Sequence, residues 1–359
     1  MITSIKFKNF RRFKELSMEK LPCVTLISGK NNVGKTTVLE GVFVFCAHLL
    51  PDAFMRINYL RAGYPILTAN TPEQVWETAF HEFNTAKPME ISAVYDDMPA
   101  KLLYIRDDSF IPNIPSHLKD KEIAPPLLST SQKNYSLKFE FTRGDYLERG
   151  YFSIIQNSIF REMSDERQQI VEQPVQAQFI NSFTAKNTQQ FVTYFGQLER
   201  ADKVPELLEK LKIIEPELKE IKTILVNNQA QLYCKARGKL MPLQLAGDGL
   251  VRLLCILVAI ISNPNTIMLI DEIENGFHYS VYAKIWETIA SAAKEYNCQI
   301  IATTHSYECI ASALQGVCKA ILEDDFCYYR LGRQEDQITA YCFSFEQLRE
   351  ALKSDLEVR

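Results

Sequence analysis

The sequence predicts an α/β protein with a parallel core sheet, and three observations carry the prediction. Near the N-terminus an apolar stretch at 24–27 leads into a glycine loop, Gly29 to Thr36, and then into an almost uniformly apolar segment at 35–50. Far downstream, a second apolar stretch at 266–271 ends on two acids, Asp271 and Glu272. Around it, helical and strand periods alternate: helix 250–262, strand 266–271, helix 279–296, strand 299–304. Such alternation covers both faces of a sheet with helices, the setting in which parallel strands are found.

Composition narrows the class. The chain has 359 residues, 47% hydrophobic and 23% charged, the balance of a soluble globular protein with one large core or two domains. With 40 basic against 44 acidic residues the net charge is -4, so no overall basic field recruits nucleic acid and any such contact needs a local patch. The longest apolar run, 253–261, is far below the roughly 20 residues that span a bilayer. The first 25 residues carry charges where a signal peptide is apolar, so a cytoplasmic protein without membrane contact is expected. Nine cysteines are scattered with no C-x-x-C pair, which reads as reduced core thiols and not as disulfides or zinc ligands.

Taken in order, Ile5 and Phe7 alternate with polar partners and predict a strand before the one at 24–27. The 35–50 segment is apolar nearly all round, the pattern of a helix buried between a sheet and a neighbour. From 51 to about 200 the periods break up, with Pro112, Pro115, Pro125 and Pro126 close together, which marks an inserted region. Within it, 89–95, 101–106, 135–141 and 151–155 read as strands, the last two joined across Arg143-Gly144-Asp145. At 203–226, Leu207, Leu208, Leu211, Ile214, Leu218 and Ile221 recur at helical spacing, predicting one amphipathic helix with Pro205 in its first turn and a possible break at Pro216. No heptad pattern is sustained, so no long coiled-coil arm is expected. Glu323-Asp324-Asp325 reads as a turn between strands.

The chemistry is concentrated in four places. Gly29-Lys30-Asn31-Asn32-Val33-Gly34-Lys35-Thr36 satisfies G-x-x-x-x-G-K-[ST] between a strand and a helix, and Thr37 follows it. Its backbone N–H groups and the helix N-terminus suit phosphates, Lys35 reaches β and γ oxygens, and the Thr36 hydroxyl suits magnesium. Asp271 and Glu272 sit where a strand delivers carboxylates beside those phosphates: Asp271 as a magnesium ligand, Glu272 as the general base for water. His305, at the end of the next strand, is placed to hydrogen-bond a γ-phosphate oxygen. Ala246-Gly247-Asp248-Gly249, before helix 250–262, forms a second anion cradle, which one nucleotide does not need from one chain; it suits the site of a second subunit.

Together with Lys8-Asn9-Phe10-Arg11-Arg12-Phe13, Leu39-Glu40 and the run from Ile270 to His278, these segments resemble the ABC-type ATPases of the structural-maintenance-of-chromosomes and RecF-like branch. Within it they are most similar to the overcoming-lysogenization-defect-like group, AAA-15 or AAA-21. The resemblance implies a P-loop head with a mixed sheet flanked by helices, formed by 1–50 and 203–359, and an inserted α+β region, 51–202, acting as lid or partner surface. It implies ATP with Mg2+, head-to-tail dimers in which the 245–253 signature of one subunit closes the other's site, and Thr304-His305-Ser306 as the H-loop. Ala246 stands where the family's signature often carries Ser, so hydrolysis is expected to be slow. Gln74 is the sole candidate for a Q-loop glutamine and is more simply a surface residue. Only about 54 residues follow His305, too few for the Toprim nuclease module of longer members. The implied role is a nucleotide switch for a separate effector, a nuclease or toxin, in prokaryotic anti-phage defence. The alternative is a RecF-like repair ATPase that grips DNA, for which Lys6, Lys8, Arg11, Arg12 and Lys14 supply a local basic cluster.

Overall fold

In the computed structural model the described residues are 1–62, 75–112, 136–155, 158–164, 176–181, 188–335, 337–354 and 356–359. The chain opens with a hairpin, β1 (Ile2–Phe10) and β2 (Phe13–Met18), followed by β3 (Val24–Gly29), α1 (Lys35–Cys46) and α2 (Ala53–Ala62). Five strands follow: β4 (Met89–Tyr95), β5 (Met98–Asp107), β6 (Ser136–Arg143), β7 (Tyr146–Ile155) and β8 (Ser158–Met163). Next come β9 (Ala177–Ile180), α3 (Thr188–Arg200), α4 (Val204–Leu211), β10 (Leu218–Val226), β11 (Gln229–Ala236) and β12 (Lys239–Pro242). The final third is α5 (Asp248–Ser262), β13 (Ile267–Ile270), α6 (Tyr282–Glu295), β14 (Gln299–Thr303), α7 (Tyr307–Lys319), β15 (Phe326–Gln334), β16 (Gln337–Ser344) and α8 (Phe345–Lys353).

These strands form three sheets. The central one has the order β16-β15-β3-β14-β13-β9 and is parallel except for β16. Its inner strands β3, β14 and β13 are buried on both faces, and the two-residue period sorts their side chains: Met268 and Ile270 pack into the core formed with α5, α6 and α7, while Ile267 and Leu269 pack toward α1. A seven-stranded antiparallel sheet, β2-β1-β4-β5-β6-β7-β8, covers the other side of α1. Ten of the twelve α1 residues are therefore buried. The fit is close: a Cβ on Gly41 of α1 would lie 2.3 Å from the Phe7 ring of β1.

The hairpin across Gly144 forms as expected, with Gly144 at φ +53°. Residues of the 51–202 region extend the β1–β2 sheet through β4 to β8, and β9 joins the edge of the central sheet beside β13. The 203–226 segment departs from the expectation of one helix. The helix stops at Leu211, Pro216 stands in the break, and Leu218–Val226 is a strand paired with β11. Thr223, Ile224 and Val226 are β-branched, and Asn227 and Asn228, both at positive φ, supply the tight turn that a hairpin needs. Glu323 to Asp325 also differs, as a turn from α7 into β15 and not between two strands. All nine cysteines are free thiols; six are buried, and burial pushes Cys46 and Cys255 up to about 12. Among the described residues no helix is long and apolar enough to cross a membrane.

Candidate nucleotide site

A cleft of about 810 Å3 opens over the ends of β3, β13 and β9. The strand-to-helix turn after β3 forms its floor. Gly29 at φ +142° tolerates no side chain, because a Cβ would lie 2.5 Å from the Leu331 carbonyl oxygen of β15. Gly34, at φ +103°, closes the loop and precedes α1, whose first residues Lys35 to Thr37 line the cleft. Asn31, Asn32, Gly34, Lys35, Thr36 and Thr37 line the cleft, whereas the Lys30 side chain is exposed and Val33 is buried beneath the loop.

Lys35 Nζ folds back and donates to the carbonyls of Gly29 at 2.7 Å and Lys30 at 3.1 Å. Burial lowers its pKa, opposed by Asp271, Glu272 and Glu274. Across the cleft, Thr36 Oγ1 lies 3.1 Å from both Asp271 carboxylate oxygens, and Thr303 Oγ1 donates to Asp271 Oδ1 at 2.6 Å. Burial raises the Asp271 pKa, and the two hydroxyls counter part of that rise.

Glu272 follows in a left-handed conformation, φ +50°, that a non-glycine residue adopts only when its surroundings hold it there. Its N–H donates to Thr303 Oγ1 at 2.8 Å. Its carboxylate accepts from Asn275 Nδ2 at 2.5 Å and stands 3.4 Å from His305 Nε2. Glu272 and His305 both remain open to the cleft, at 43% and 39% side-chain exposure. The structure thus brings the loop, Asp271, Glu272 and His305 into one place.

The segment from Ala246 to Gly249 does not line this cleft. Gly247 and Asp248 are exposed, and no atom lies within 4 Å of a Cβ placed on Gly247. Gln74 lies outside the described residues.

Several cleft residues were not assigned to the nucleotide site from the sequence. Arg12 lines the cleft from the β1–β2 turn, Arg61 from the end of α2, and Asn181 from the residue after β9. Arg61 bonds the buried Glu40 through Nε and, at 2.8 Å, through Nη2, and Glu40 also pairs with Arg11 at 3.3 Å. Glu40 and Arg11 were present in the sequence within Leu39-Glu40 and Arg11-Arg12, but nothing there joined Glu40 to Arg61. Thr303 is missed because one hydroxyl in an apolar strand gives no pattern.

Comparison with known proteins agrees with this geometry. Residues 24–311 match the family described as "AAA domain, putative AbiEii toxin, Type IV TA system". A protein of Helicobacter pylori (strain ATCC 700392 / 26695) named ATP/GTP phosphatase is 25% identical over 350 residues, covering 91% of this chain and 90% of that one. Among solved structures, an Smc head bound to the C-winged helix domain of ScpA superposes with a TM-score of 0.52 at 12% identity, over 96% of this chain and 98% of that one. An Smc head with an extended coiled coil, bound to the C-terminal domain of ScpA derived from Pyrococcus furiosus, gives 0.50 at 11% identity over 99% of both. The glycine loop with its facing acids, on a mixed α/β fold of the Smc-head type, and the match over most of the length together show that the chain belongs to this AAA-domain family of P-loop ATPases.

Proposed function

We propose that the protein hydrolyses ATP and uses the cycle to close and open a head-to-tail dimer that controls a separate effector. The observation that carries the enzymatic part is the meeting of Thr36, Asp271, Thr303 and Glu272 beside the Lys35 loop. The loop N–H groups and the head of α1 bind the triphosphate, and Lys35 exchanges its two backbone acceptors for phosphate oxygens. A hydroxyl facing a carboxylate is a hard-oxygen donor pair of the kind Mg2+ prefers, so Thr36 and Asp271 would hold the ion, which when bound neutralises phosphate charge. Glu272 accepts the proton of the water that attacks the γ-phosphorus, and ADP departs. His305, within reach of Glu272, orients that water or a γ oxygen. The relative named ATP/GTP phosphatase supports this reaction class.

The exposed turn at Gly247 and Asp248, which does not line its own chain's cleft, supports completion of each site by a second copy. The family description names a toxin and a Type IV TA system, which supports a nuclease or toxin as effector and a role in anti-phage defence. Of the basic cluster on which the DNA-gripping alternative rests, Lys6 pairs with Glu15, Lys8 with Glu90, Arg11 is buried against Glu40 and Arg12 faces the cleft, while Lys14 is exposed. Phosphate release by wild type and Glu272→Gln tests the assignment. The variant is expected to keep nucleotide affinity and lose about 10²-fold or more in turnover. Unchanged turnover would overturn it.

A further inference from the structure

Arg252 sits one turn into α5 and is 3% exposed, yet no carboxylate reaches it among the described residues. A buried guanidinium without a carboxylate is costly, so its partners are informative. Nη2 donates to the Asp271 carbonyl at 2.7 Å and approaches the Glu272 carbonyl at 3.5 Å, while Nε and Nη1 are buried with no acceptor. The Asp271-Glu272 turn is therefore held from two sides: Thr303 takes the Glu272 N–H, and Arg252 takes the carbonyls. This is the turn where Glu272 keeps its left-handed conformation. The same helix touches the acid-bearing segment a second time at its head, where a Cβ on Gly249 would meet the Gly276 carbonyl at 2.7 Å.

We propose that Arg252 is a positioning residue for Glu272, and that it links the Gly247–Gly249 turn to the base: a shift of α5 on contact with a second copy moves the carbonyls that set the Glu272 carboxylate. The inference rests on the reading of Glu272 as the base. Arg252→Met keeps the apolar stem and packing while removing the donors. It is expected to lower kcat about tenfold or more, with KM and the affinity for a fluorescent ATP analogue within about twofold. Arg252→Lys, which restores one donor, is expected to recover part of the loss. In a Glu272→Gln background, single-turnover rates are expected to show less than about a twofold further effect of Arg252→Met, because both changes act through one carboxylate.

Full turnover of Arg252→Met overturns the inference, as does a parallel loss of affinity and turnover that Arg252→Lys does not relieve. If Arg252→Met fails to fold, Arg252→Lys decides: wild-type kcat overturns the proposal, and a lowered kcat at unchanged KM supports it. Loss of turnover in Glu272→Gln beside wild-type turnover in Arg252→Met defeats this inference alone, whereas unchanged turnover in Glu272→Gln defeats the reading beneath it.

Discussion

Thr36 Oγ1 stands 3.1 Å from both carboxylate oxygens of Asp271, although 235 positions separate the two residues in the chain. One opens α1 behind the glycine loop, and the other follows β13, two strands away across the sheet. The carboxylate is buried against the Thr36 and Thr303 hydroxyls, and burial raises its pKa. Asp271→Asn keeps both hydrogen bonds and removes the charge. We expect the nucleotide-free variant to be as stable as wild type or more stable, by up to about 2 kcal/mol, while turnover falls at least about 10²-fold. Thermal melts and phosphate release on the same preparations check both.

Lys35 is held by two backbone acceptors and forms no ion pair among the described residues, so its charge is available to a ligand. Lys35→Ala is expected to weaken nucleotide binding about 10- to 100-fold, the worth of one or two charge-assisted hydrogen bonds. Calorimetric titration measures it.

Glu40 is 1% exposed and is the shared partner of Arg11 and Arg61. Arg11 is 8% exposed, so Glu40→Ala leaves a buried cation with its ion-pair partner gone. The expected loss is about 3–5 kcal/mol of stability, read as a lower urea midpoint. Arg61→Ala should cost much less, because Arg61 is half-exposed.

His48 at the end of α1 stacks on Phe141 with ring centroids 3.9 Å apart, and its Nδ1 bonds the Phe45 carbonyl at 3.0 Å. Burial lowers its pKa from 6.5 to about 4. The folded state therefore binds this proton less readily than the unfolded chain. The stability tied to neutral His48 is full above pH 6.5 and is lost as pH falls toward 4, by about 3 kcal/mol in all. His48→Phe should flatten that part of the pH–stability curve. An unchanged slope between pH 6.5 and 4 would contradict it.

Much of the site was legible because its chemistry is local in sequence. The glycine loop is eight contiguous residues, and Asp271-Glu272 ends an apolar strand, so each declares its neighbours. Arg61, Asn181 and Thr303 gave no such signal: each reaches the cleft through packing of separate elements, and α2 and β9 are short. Leu218 and Ile221 misled because a spacing of three fits a helix, whereas here a register shift between Leu218 and Glu220 breaks the two-residue period and leaves both buried in one strand; the Asn227-Asn228 turn was the sign that favoured the strand. Arg252 belongs to no sequence motif, and only its carbonyl partners show what it holds.

The central claim is that the loop from Gly29 to Thr36 grips a triphosphate and a second copy's Gly247 turn closes over it. A structure of Glu272→Gln with ATP and Mg2+ tests it most directly. The account predicts a closed pair of chains, phosphates on the loop N–H groups and Lys35, Thr36 and Asp271 at the ion, and residues 246–249 of the other copy on the γ-phosphate. Nucleotide bound elsewhere, or a single chain whose cleft stays empty at saturating ATP, would contradict it.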